Sequence, residues 1–185
     1  MAARSGPLSL SLAVFLLLLT TDLTDGQAQE RYDARSDLKP RVIRRADGQK
    51  RFFPDGRFIL LKVGPENSQS GYLFMGYEDL PPGTSIPRHR HEIDEEIILV
   101  QRGSVLFFFA ADSAVGEAGD VMFLPPGNFI SARSLGPDTA SIFFVFPRAG
   151  MERCFQLLGR GEGESPGPET AEELEAEHRH CLWSY

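Results

Sequence analysis

All four histidines of this 185-residue chain fall in two His-Arg-His triplets. The first, His89-Arg90-His91, stands where it can hold a metal. Residues i and i+2 of a strand project from the same face, so the two imidazoles come close enough to share one ion. Glu96 follows His91 by five residues, an odd offset that would put it on the wrong face of a continuous strand. The chain must therefore turn in between, and Glu92-Ile93-Asp94-Glu95 is polar enough to make that turn. The next strand then returns Glu96 beside the imidazoles, and Gly103 supplies a tight hairpin after it. Two histidines and one carboxylate with open positions form the ligand set of non-haem iron and similar divalent-metal sites. Glu96 can also take a substrate proton. The second triplet, His178-Arg179-His180 followed by Cys181, has the composition of a metal clip. It ends an acidic stretch, however, where histidines near a helix C-terminus also answer the helix dipole.

Those side chains need a rigid scaffold, and the rest of the sequence describes one. A content of 42% hydrophobic and 24% charged residues is that of an ordinary globular domain with tails. The net charge of -7 repels phosphate backbones, and no stretch interleaves basic with aromatic residues, so no nucleic-acid partner is expected. Fourteen phenylalanines against one tryptophan point to a core of Phe and aliphatic side chains. From Arg57 onward, short runs rich in Phe, Ile and Val alternate with Gly, Pro and Asp punctuation. The runs predict strands over Arg57–Val63, Gly71–Tyr77, Glu96–Gln101, Ser104–Ala110, Asp120–Leu124 and Ala140–Phe146. Connections too short for crossover helices make the sheet antiparallel, closed as a sandwich or barrel. Phe107-Phe108-Phe109 alternates across its strand, which packs the core and offers any ring that reaches a cavity as an aromatic wall. After Pro147 the period changes, and Met151–Leu158 reads as a helix stopped by Gly159. A Gly/Pro-rich linker follows, and Thr170-Ala171-Glu172-Glu173 has the form of a capping box opening an acidic helix.

The N-terminus reads as an address. Ser5 to Thr21 carries no charge, Arg4 precedes it, and Leu12–Leu19 forms an apolar centre too short to span a bilayer. Gly26-Gln27-Ala28 supplies the small residues of a cleavage site. The expected organisation is a signal peptide over 1–28, a leader over 29–54, the β domain over 55–150 and a helical tail over 151–185. The mature chain is expected to be secreted, extracellular or periplasmic, with no membrane contact once the signal is removed. In an oxidising compartment Cys154 and Cys181 either pair or remain a buried thiol and a free one.

The spacing Gly83, five residues, His89-Arg90-His91, four residues, Glu96, six residues, Gly103 resembles the first motif of the cupin superfamily. Gly119, five residues, Pro125-Pro126-Gly127 is similar to the start of its second motif. There the family's fourth ligand, a histidine, is replaced by Ile130, and its asparagine by Ser134. The tail from Phe144 to Gly159 resembles the ending of single-domain quercetin-dioxygenase-like cupins. The resemblance implies an all-β fold, a cupin-type double-stranded β-helix or jelly-roll barrel with a short C-terminal helical tail. It further implies a divalent transition metal, Fe, Mn, Ni, Cu or Zn, held by His89, His91 and Glu96, a small-molecule substrate or ligand, and a homodimer. Asn128 and Ser131 are candidate weak oxygen ligands, and Glu95 is a less well-spaced alternative to Glu96. Two readings of function follow. One is a mononuclear-metal oxidoreductase, dioxygenase-like, with Glu96 catalytic. The other is a non-catalytic small-molecule binder whose metal site decayed at Ile130.

Overall fold

In the computed structural model of the protein, residues 38–164, 170, 181, 183 and 184 are described. The expected signal peptide, the acidic helix after Thr170, and His178 and His180 lie outside them. The chain divides into two units, Met1–Arg41 and Val42–Tyr185, and every described element belongs to the second.

Burial alternates along the strands, with successive side chains on opposite faces. In Glu96–Arg102 the pattern is strict: Glu96, Ile98 and Val100 are buried, while Ile97, Leu99 and Gln101 face out. Eleven strands form among the described residues: β1 Gln49–Phe52, β2 Phe58–Val63, β3 Phe74–Leu80, β4 Ser85–His91, β5 Glu96–Arg102, β6 Ser104–Phe108, β7 Ser113–Glu117, β8 Val121–Leu124, β9 Ile130–Leu135, β10 Ala140–Phe146 and β11 Trp183–Ser184. Two short helices accompany them, α1 Pro65–Ser68 and α2 Glu152–Leu158. One sheet has the order β1-β2-β3-β10-β5-β8 and the other β11-β4-β9-β6-β7. The strand pairs are antiparallel.

The core lies between the sheets and is largely aromatic. Phe144 is ringed by Phe74 (centroids 5.7 Å), Phe155 (5.0 Å) and Phe146 (6.1 Å). Gly76, its cross-strand partner, makes room for that ring, since a Cβ there would sit 2.2 Å from Phe144 Cζ. Phe155 comes from α2, the helix expected at the end of the barrel. Cys154, in the same helix, is disulfide-bonded to Cys181, with Cα atoms 5.3 Å apart. That bridge settles the open cysteine pairing. It places β11 next to β4, with Trp183 opposite His91 and Ser184 opposite Arg90. No helix among the described residues is long and apolar enough to cross a membrane.

Three expectations change. Gly103 does not form a hairpin, because β5 bonds to β10 and β8 while β6 lies in the other sheet. Gly103 (φ +74°) is instead the corner at which the chain changes sheets, packed so closely that a Cβ would lie 3.0 Å from Ala140 Cα. Closing two sheets around one core requires such corners, and they leave no pairing for a hairpin. The strand expected over Gly71–Tyr77 is Phe74–Leu80, since Gly71 and Tyr72 form bends. Strand β1 also falls within the stretch read as leader, and the turn before it is anchored. Lys62, buried on β2, donates from Nζ to the carbonyls of Arg44 (2.8 Å), Arg45 (3.1 Å) and Asp47 (2.9 Å). Burial pushes the Lys62 amine below its ordinary pKa, and Asp47 opposes the shift.

Candidate metal centre

The two histidines sit at the end of β4, and the outward residues between and before them help to aim the strand. The Arg88 and Arg90 guanidinium groups lie over the Phe129 ring at 3.4 and 5.0 Å from its centroid. A register shift between Ile86 and His89 then lets both of those residues line the cavity despite their odd separation. His91 is buried edge-on against Phe146 (centroids 4.9 Å), and its backbone carbonyl accepts from the Gly127 amide at 2.7 Å. Gly127 adopts φ +75°, a left-handed conformation that glycine takes without strain. The turn of the second motif thus holds the last ligand-bearing residue of the first.

Between His91 and Glu96 the chain turns as expected, but it also crosses from one sheet to the other. The crossing is pinned by buried Asp94, whose Oδ1 accepts from Arg148 Nε at 2.8 Å. Arg148 Nη2 also donates to the Ile93 carbonyl at 3.0 Å. The sequence reading missed this clamp, since nothing in the spacing relates residues 54 apart. Glu96 enters β5 facing inward, and its Oε2 lies 3.3 Å from His91 Nε2. Glu95 is exposed and points away.

His89, His91 and Glu96 therefore converge, each offering one ligand atom within 4.8 Å of the others. His89 Nδ1 is 2.8 Å from the Pro87 carbonyl, the backbone contact that orients many metal-binding imidazoles. Burial holds the His89 pKa below the ordinary histidine range, partly offset by the Glu96 charge, and so favours the neutral, ligating ring. Two imidazoles and a buried carboxylate within this span fit a divalent transition metal. The weaker candidates fare differently. Asn128 is exposed, and its amide caps the Pro125 and Pro126 carbonyls at 3.3 and 3.1 Å. Ser131 lines the cavity. Ile130, buried, pairs in register with His89 and lines the same cavity.

That cavity has a volume of about 300 Å³. Its aromatic wall is not the Phe107–Phe109 run: Phe107 packs in the core beside Gly116, and Phe108 and Phe109 face outward. Phe53, Phe144, Phe146 and Phe155 line it instead, together with Ile59, Ile86, Ile98 and Ile142.

The sequence reading also missed a second polar group on the cavity wall. Arg57 Nη1 donates to Glu78 Oε1 at 3.1 Å and Arg57 Nε to Asp55 Oδ2 at 2.7 Å, while the guanidinium lies 4.7 Å from the Phe53 centroid. The signal was present in β3, where Glu78 shares the inward phase of Phe74, Gly76 and Leu80. Burial raises the Glu78 pKa from 4.5 to about 7 against the opposing charge of Arg57. The folded state thus keeps this proton to higher pH than the unfolded chain does. Its stabilising contribution is complete below about pH 4.5 and is lost as pH rises through about 7. Urea midpoints of metal-free protein are expected to fall across that window and to flatten in Glu78→Gln. An equally steep decline in the variant would refute the assignment.

A closed pair of antiparallel sheets with ligand-bearing strands converging on one cavity is a cupin jelly roll. Residues 76–146, from within β3 to the end of β10, match the family described as Cupin domain. Among solved structures, the chain is similar to a predicted oxalate decarboxylase from Thermotoga maritima. The two are 22% identical, with a TM-score of 0.53 over 58% of this chain and 99% of that one. It is also similar to a sugar phosphate isomerase of the cupin superfamily from Silicibacter pomeroyi, with 19% identity and a TM-score of 0.53 over 60% and 77% of the two chains. KdgF from Halomonas sp. is 17% identical, with a TM-score of 0.52 over 60% and 96%. At these identities the likeness establishes the fold. No curated protein matches the chain in sequence.

Proposed function

We propose that the protein is a mononuclear-metal oxidoreductase, dioxygenase-like, acting on a small organic substrate inside the barrel. The observation that carries this is the convergence of His89, His91 and Glu96 within 4.8 Å on the wall of a largely apolar cavity. A divalent metal held there would supply Lewis acidity and, for a redox-active ion, electron transfer to or from bound reactants. The chain's own residues do the rest. His89, His91 and Glu96 would hold the metal, and the Asp94–Arg148 clamp fixes the approach of Glu96. Phe144 and Phe146 exclude water beside the site. Glu96, at a site shielded from bulk water, can hold or move a substrate proton at Oε2. The likeness of the tail to quercetin-dioxygenase-like cupins supports this class.

Metal analysis of the purified chain tests it. A transition metal near one equivalent is expected in the parent and is expected to be lost in His89→Ala. Nil metal in the parent after exposure to Fe, Mn, Ni, Cu and Zn would overturn the reading. A second reading, a non-catalytic small-molecule binder, is favoured by Ile130, which puts an alkyl group opposite His89 on the cavity wall.

Export is part of the proposal. The apolar stretch from Leu12 to Leu19 and the small residues Gly26 and Ala28 support a mature N-terminus near Gln29. N-terminal sequencing of secreted protein should read from there. Secreted material still beginning at Met1 would rule the signal peptide out.

A further inference from the structure

We infer that Arg57 and Glu78 form a second recognition subsite in the barrel, separate from the metal ligands, which selects a neutral ligand bearing an O–H or N–H donor. The inference rests on the cavity being a ligand site, and it does not require a metal. Glu78 is buried, lines the same cavity as His89, and has only its Oε1 engaged by Arg57. A carboxylate so placed offers its second oxygen to the cavity interior. Its surroundings are otherwise Ile59, Ile142 and aromatic rings, where a donor lost from water needs a partner.

The charge balance decides the class. Arg57 is the partner of both Asp55 and Glu78, so its single positive charge is already shared between two carboxylates. Glu96 adds a third carboxylate to the cavity wall. An anionic group entering beside Glu78 would meet this negative excess, whereas a neutral hydroxyl or amide N–H donor would complete the hydrogen bonding of Glu78. Arg57 cannot swing away to greet an anion without leaving both partners and its contact with Phe53. Glu78 in this reading sets specificity, and Arg57 positions it.

Three probes of one carbon skeleton test the subsite: toluene, benzyl alcohol and benzoate, titrated at about pH 8.5, where Glu78 is ionised, into metal-free full-length protein by calorimetry or ligand-observed NMR. Benzyl alcohol is expected to bind about tenfold more tightly than toluene, and benzoate most weakly. In Glu78→Leu the preference for the alcohol should fall to about one while toluene binding is retained. Glu78→Gln, closer in shape, should reduce the preference severalfold, and it serves if the leucine variant does not fold. Because the titrations are made without metal, loss of the metal reading and loss of this subsite are separable. Equal binding of toluene and benzyl alcohol by the parent would overturn the inference, as would a preference surviving both Glu78 variants or benzoate binding best.

Discussion

Replacing Cys154 and Cys181 together by alanine is expected to lower the stability of the fold by about 3.5 kcal/mol, the loop-closure entropy of a bridge spanning 27 residues. Such a loss shifts the folding equilibrium by roughly 400-fold. The consequence is not confined to the tail. The bridge anchors α2, whose Phe155 packs on Phe144 and Phe74, and it sets residue 181 just before the strand that pairs with His91 and Arg90. The doubly substituted protein, or the parent under reductant, should therefore unfold at lower denaturant and also bind metal more weakly, because the outer edge of β4 loses its partner. Denaturant titration and metal affinity measured side by side check both parts. Unchanged stability after reduction would show that the tail contributes nothing to the barrel.

The second large effect concerns Ile130→His. Directly paired residues on one face of a sheet have Cβ atoms about 5 Å apart, so an imidazole at 130 would stand beside that of His89 and face the same cavity. A fourth protein ligand is expected to tighten metal binding by at least tenfold, the order by which even outer-shell groups act. Activity then divides the two readings of function. An enzyme adapted to three protein ligands uses its open positions for substrate and O₂, and it should slow or change product when one is filled. A binder that lost its metal site should gain metal and show no loss. His89→Ala provides the control. If the parent, Ile130→His and His89→Ala all fail to take up metal, the site is not a metal centre.

Much of this protein was legible because its signals are local. Short runs rich in Ile, Val and Phe between breakers, as in Glu96–Arg102 and Ala140–Phe146, read as strands, and both appear with nearly the expected bounds. The candidate ligand set was legible for the same reason. His89 and His91 share a strand face by geometry, and the odd offset to Glu96 demanded the turn that is found. The breaker after Leu158 ended α2 as expected.

What only the tertiary structure decided depends on which sheet each strand joins. A hairpin at Gly103 and a corner at Gly103 use the same glycine and the same positive φ. The difference lies in whether β5 finds β6 or β10 and β8 as its partners, a choice made by closing the core. The cavity wall was decided in the same way. Phe107 and Phe144 are equally aromatic and both inward-facing, yet Gly116 receives one ring in the core, while Gly76 lets the other lie where it lines the cavity. Arg57 meeting Glu78, and Arg148 meeting Asp94, are pairs 21 and 54 residues apart. The chain itself determined six of the strands, the turn and the approach of three candidate ligands, because periodicity and spacing act over a few residues. It left open the long-range partners of its charges, because burial in a shared core is what makes a distant pair worth forming.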